Sequence, residues 1–182
     1  MVTLVDLDTV EPCYTLRPLK KELEGKGLKV LGWETQQVAG WGEAGTVLHP
    51  AARWALYREG DVIIDVGYGA AGAGTLHLLE GAAAAGPLLP QLQVVAVVNT
   101  TRPLTAGVED IVAHIHWLGR VDGLLNNTHL GAETTVELIQ AGAGLVTSAA
   151  RAVKIPVVAT AAMVELAALM GPADDLGNPV RA

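Results

Sequence analysis

The sequence predicts a three-layer α/β domain built on a mostly parallel sheet, and three observations carry that expectation. Short apolar runs alternate with helical stretches along the whole chain, the pattern of a doubly wound sheet. Within the expected strand 62–66, the apolar run Val-Ile-Ile at 62–64 is what a strand buried on both faces requires. Three segments end in acids or amides: VTLVDLD at 2–8, DVIIDVG at 61–67 and VDGLLNNTHL at 121–130. Strand carboxyl ends are where open α/β sheets place their ligands.

The elements follow in order. Residues 2–5 open a β-rich run. PLKKELEGKG at 18–27 reads as a short polar helix with a glycine stop. Residues 29–31 are a further strand, and 32–45, with Trp33, Trp41 and four glycines, a loop. HPAARWALYRE at 49–59 has helical spacing, with Ala52, Leu56 and Tyr57 on one side. Strand 62–66 precedes a glycine loop at 67–74 and an alanine-rich helix to about residue 85. Strand 93–99 precedes a helix at 105–118, with Thr105 as N-cap and Glu109 near its start. After strand 121–125 come helical pieces at 133–140 and 145–154, parted by Gly142 and Gly144. Strand 155–160 and helix 163–170 complete one domain over 1–171, and 172–182 reads as a loose tail. No repeat or linker interrupts it.

Composition narrows the function. The chain has 182 residues, 51% apolar and 17% charged, enough for a real core. It has no Phe, so the core is aliphatic. A net charge of −7 with only 12 scattered basic residues argues against a nucleic-acid binder. Cys13 is the single cysteine, which excludes an internal disulfide. No apolar run reaches membrane-spanning length and no signal peptide is visible, so the expected compartment is the cytoplasm.

The polar strand ends supply the candidate chemistry. Asp6 and Asp8 form an Asp-x-Asp whose side chains share one face of a strand. Such a pair can hold Mg²⁺ through water or orient an attacking water; the bland reading is a turn cap. Asp65 ends a buried strand in the manner of a Walker B acid, or braces the following loop. GYGAAGAG at 67–74 contains G-x-G-x-x-G between strand and helix, the context of a dinucleotide fingerprint. It also looks like the opening motif of S-adenosylmethionine methyltransferases. The next strand ends in Asn99-Thr100-Thr101-Arg102, with no acid for ribose hydroxyls. Asn99, Asn126 and Asn127 could hydrogen-bond a purine edge or simply suit the turns they begin. His114 and His116, two apart on a helix, face different ways and are a poor metal pair.

Taken together, the segments resemble the ParA/MinD/CobQ-like deviant-Walker nucleotide-binding proteins. The resemblance lies in Val5-Asp6-Leu7-Asp8-Thr9-Val10-Glu11-Pro12-Cys13-Tyr14, in Asn126-Asn127-Thr128-His129-Leu130 followed by Glu133-Thr134-Thr135, and in the strand ending at Asn99 before Thr100-Thr101-Arg102-Pro103. It spans residues 2 to about 158, and order and spacing carry it more than any single motif. It implies a P-loop NTPase-like fold that binds ATP with Mg²⁺ and pairs face to face. By this resemblance Asp8 orients the attacking water, Asp6 and Asp65 serve the metal, Asn126 or Asn127 touches the base, and Asn99 sits near the site. The family's G-x-x-x-x-G-K-[ST] string is not in this sequence: Gly25-Lys26 is followed by Gly27, and Lys20 stands at the first glycine. Met1 directly precedes the Asp-Leu-Asp strand, so the first strand, P-loop and helix are expected to be missing. That lowers the expectation of hydrolysis and predicts a regulatory or assembly factor. Cover for the sheet would come from a second chain or a homo-oligomer. The alternatives are a non-catalytic dimerising domain, or an enzyme taking S-adenosylmethionine or NAD at 67–74.

Overall fold

The computed structural model describes residues 1–8, 16–34, 48–82 and 91–182. Cys13 with the rest of 9–15, Trp41 with the rest of 35–47, and 83–90, where the expected alanine-rich helix ends, lie outside the described residues. The chain is α/β with parallel sheets. Contacts divide it into two compact units, Met1–Leu92 and Gln93–Ala182, where the sequence reading gives one domain over 1–171.

The first unit holds a parallel sheet of β1 (Val2–Leu7), β2 (Lys29–Leu31) and β3 (Asp61–Val66), in the order β2-β1-β3. Thr3, Val5 and Leu7 align with Val62, Ile64 and Val66. That face meets Ala52, Ala55, Leu79 and Ala82 in an aliphatic core. Alternation puts Leu4 and Asp6, beside Ile63 and Asp65, on the other face. A 3₁₀ turn at Arg17–Leu19 leads into the expected polar helix, α1 (Lys20–Gly25).

Two expectations in this unit are corrected. Pro50–Tyr57 is 3₁₀ rather than α-helical. It breaks at Trp54, which lies outside helical geometry, and its buried residues are Ala52 and Ala55, while Tyr57 is exposed. The glycine stretch is not a loop either: α2 (Gly69–Gly74) begins inside it and continues as a 3₁₀ turn, Thr75–Leu78. A Cβ on Gly72 would lie 1.7 Å from the Gly67 carbonyl oxygen, so glycine is what lets this helix start against the strand end.

The second unit is a parallel sheet of β4 (Val95–Val98), β5 (Gly123–Asn126), β6 (Val157–Ala161) and β7 (Val180–Arg181), in sequential order. Its helices are α3 (Val108–Leu118), α4 (Val136–Val153) and α5 (Val164–Met170). Ala96, Val98 and Leu124 pack against Ile111 and Ile115 of α3 and Val146, Ala149 and Ala150 of α4. On the other face Val95 and Val97 are exposed, and Val158 lies against Gly123.

Three further readings change here. Thr105 does not cap α3; its hydroxyl donates to the Asn99 carbonyl at 2.6 Å, and the helix starts after Gly107. The two expected helical pieces are one 18-residue helix, α4, capped by Thr135 accepting from the Leu138 amide. Gly142 does not break it. A Cβ there would sit 2.1 Å from the Thr128 hydroxyl oxygen, so this glycine admits a close-packed neighbour.

The expected loose tail is ordered. Asp174, 5% exposed, accepts from the amides of Leu176 and Asn178 and from the Thr160 hydroxyl at 2.7 Å. β7 then pairs with β6. The anchor is one buried carboxylate, with no apolar period to announce it.

Candidate functional site

The carboxyl ends of β1 and β3 bring the sequence-predicted acids together. Asp6 and Asp65 are register partners on adjacent strands, and Asp8 lies just past β1. Asp6 is buried, with Gly32 against its Cβ. Its Oδ1 accepts from the Asp8 amide at 3.0 Å, and its Oδ2 is ion-paired with Arg17 Nε at 2.6 Å. The same guanidinium donates through Nη2 to the Asp8 carbonyl at 3.1 Å. Lys20 Nζ donates to the Gly32 carbonyl alongside.

This arrangement separates the acids by role. Both oxygens of Asp6 are engaged, so its observed work is to hold Arg17 and the turn into Asp8. The Asp65 carboxylate has no hydrogen-bond partner among the described residues. Burial, then the neighbouring charges of Asp6 and Asp8, push its carboxyl up to about 6. A carboxyl tuned toward neutrality at a strand end is the form that proton-transfer and cation sites take.

Arg17 is the residue that sequence reasoning missed. Its partner lies eleven positions back and no local period links the two. One signal was available: Arg17 is the first basic residue of the chain, and it follows an acidic strand end.

In the second unit the three asparagines part company. Asn126 is fully buried; its Nδ2 donates to the Ile139 carbonyl at 3.2 Å and to Thr160 Oγ1, and its Oδ1 accepts from the Thr128 amide and hydroxyl. It ties β5 to α4 and β6, and no part of it is left for a base. Asn99 staples two loops: its Oδ1 accepts from the Thr101 amide and hydroxyl and from the His129 amide, while its Nδ2 donates to the His129 carbonyl. Asn127 is half-buried, and its side chain has no hydrogen-bond partner among the described residues. Of the three it is the amide available to a ligand. His129 is exposed, its Nδ1 accepting from the Gly131 amide.

Among the described residues no group of three or more His, Cys, Asp or Glu is arranged to hold a metal ion. No helix among them is long and apolar enough to cross a membrane. No family model, curated protein or solved structure matches the chain.

Proposed function

We propose that this chain is a nucleotide-binding protein of the deviant-Walker kind with an incomplete site, in which the ends of β1 and β3 take the Mg²⁺ carried by a nucleotide. The observation that carries this is Asp65: a half-buried carboxyl at a parallel strand end, without a hydrogen-bond partner among the described residues and pushed up to about 6. Mg²⁺ suits such a place better than Ca²⁺ does. It keeps its waters and is held by one or two carboxylates plus ligand phosphates, so it needs no full protein cage.

In this reading Asp65 holds the ion, Asp8 orients a water beside it, and Arg17 keeps the turn between them in place. The sequence lacks a G-x-x-x-x-G-K-[ST] string, so the proposal is binding with a regulatory or assembly role and no autonomous hydrolysis. A P-loop NTPase-like fold, a cytoplasmic setting and homo-oligomers belong to the same proposal.

The test is a thermal melt with Mg²⁺-ATP, ATP plus chelator, Mg²⁺-ADP, S-adenosylmethionine and NAD. A ligand at 100 times its dissociation constant adds about 2.7 kcal/mol. A rise with Mg²⁺-ATP that vanishes with chelator and in Asp65→Asn is expected. A rise with S-adenosylmethionine or NAD instead would overturn the reading.

A second reading, a non-catalytic interaction domain, is favoured by the exposed apolar face of Val95, Val97 and Val158. β4, β5 and β6 contain no charged residue. That reading expects a firm oligomer in light scattering and no response to any of the ligands.

A further inference from the structure

We propose that β4 is a self-pairing edge: two copies of this chain join antiparallel along it, about a two-fold axis through Ala96, so that two four-stranded sheets become one of eight strands. The inference rests on the interaction-domain reading and deepens it by naming the partner, the strand and the register. It asks nothing of the strand ends of β1 and β3.

The edges of the two sheets are not alike. An edge strand offers a row of unpaired amides and carbonyls, and proteins blunt it with charge or with shortness. β2 is three residues long and carries the exposed Lys29, β7 is two residues long with the exposed Arg181, and β3 carries Asp61 and Asp65. β4 has no charge: it reads Val-Ala-Val-Val, and among the described residues it pairs only with β5. The carbonyls of Val94 and Val98 accept from the amides of Asp122 and Asn127, so the backbone groups of that parity point at β5. Alternation then turns the amides and carbonyls of Val95 and Val97 outward, toward the open edge. Their side chains, 39% and 61% exposed, are open as well.

Two features say that the occupant is a second copy. The first is charge. Two copies bring identical charges, so on a chain of net charge −7 a neutral edge is the one that meets itself without repulsion. A two-fold pairing of β3 about Ile63 would set Asp61 opposite Asp65 of the second copy, whereas β4 sets no charge opposite another. The second feature is the order of residues. Val94-Val95-Ala96-Val97-Val98 reads the same in both directions. Turned about Ala96, it places Val95 opposite Val97 of the second copy as a hydrogen-bonded pair that exchanges two bonds. Val94 then faces Val98, so β-branched side chains meet along the whole run. Ala96 meets itself in the close, non-hydrogen-bonded position. The two-fold pairing uses up the β4 edge, so assembly closes at the dimer.

The test is sedimentation of the wild-type chain and of Val97→Lys, joined to cross-linking in a Cys13→Ser background that removes the single native cysteine. A dimer is expected for the wild type and a monomer for Val97→Lys at the same concentration. For the register, chains bearing Val95→Cys and chains bearing Val97→Cys are co-produced and oxidised. Opposite residues lie about 5.5 Å apart, within disulfide reach, so the mixture should cross-link. Each cysteine variant alone should not, because a residue and its own copy then stand diagonally, about 7–8 Å apart. This arm uses only small substitutions, so it decides the matter even if Val97→Lys does not fold. A wild-type monomer overturns both this inference and the interaction-domain reading. A dimer in which the mixed pair does not cross-link, or like cysteines do, overturns the pairing along β4 and leaves that reading standing. Mg²⁺-ATP enters neither arm, so the nucleotide proposal is decided separately.

Discussion

Asp6 and Asp65 stand side by side as register partners on parallel strands, yet one is locked in a buried ion pair and the other is pushed toward neutrality. The first expected consequence is a pH dependence. The Asp65 carboxyl is raised from 3.8 to about 6, so between those values the native chain holds a proton that the unfolded chain has released. Its contribution to stability is complete below the lower value and is lost as pH rises through the upper one. Asp65→Asn should therefore stabilise the chain near neutral pH by about 1–2 kcal/mol, discounted for solvent screening, and have little effect near pH 4. Urea melts at the two pH values check this. An equal change at both would contradict it.

Asn126 and Asn127 are neighbours in sequence with opposite expected phenotypes. Asn126→Ala orphans buried partners in α4, β6 and Thr128 and should cost about 2–4 kcal/mol. Asn127→Ala, whose side chain has no hydrogen-bond partner among the described residues, should stay within about 0.5 kcal/mol in stability. Chemical denaturation of both variants separates the roles. A destabilised Asn127→Ala would place that amide in the scaffold.

Gly142 and Gly144 share one helix and should respond oppositely to alanine. At Gly142 the new methyl would meet Thr128 atoms at 2.1, 2.5 and 2.8 Å, an overpacking that should cost about 2–3 kcal/mol despite better helix propensity. At Gly144 nothing lies within 4 Å, so alanine should stabilise by up to about 1 kcal/mol. Adding Thr128→Ala to Gly142→Ala should recover part of the loss, as a double-mutant cycle would show. Strict additivity would mean the two residues do not press on each other.

Asp174 should make the end of the second unit acid-sensitive. Burial alone would raise its carboxyl, but donors on Asn178, Thr160 and Leu176 outweigh that and hold it below the usual value. Its contribution is present above that ordinary value, and is lost as pH falls through its depressed native one. Asp174→Ala should cost about 2–4 kcal/mol and expose the Thr160 and Val180 amides to hydrogen exchange. Unchanged protection at those amides would show that β7 is held some other way.

The parts of the fold legible in sequence were those written in apolar periodicity. Strand 29–31 matches β2, and the run at 62–64 lies within β3, although Ile63 is 58% exposed, so the strand is not buried on both faces as the run suggested. Polar and steric relationships were not legible, because they join residues distant in the chain. Gly142 looks like a helix breaker until Thr128 is seen beside it. The Asp174 anchor has no period at all. The doubled asparagine was half legible: alternation along a strand sends one of two neighbours inward, but only the packing of α4 says which. In the acid cluster, the Asp6–Arg17 ion pair was not legible, because its partner lies eleven positions along the chain.

The two strand orders also set an unequal timetable for folding. In Gln93–Ala182 each strand pairs with the next one along the chain: Val95 meets Gly123, Leu124 meets Val157 and Thr160 meets Val180. In Met1–Leu92 the middle strand opens the unit, and its pairing with β3 waits until Val2 has met Asp61. Closing that longer loop carries the larger entropic barrier, and rates follow contact order. The sheet bearing the acids is accordingly expected to complete its pairing more slowly than the other, an order that pulsed hydrogen exchange during refolding would read directly.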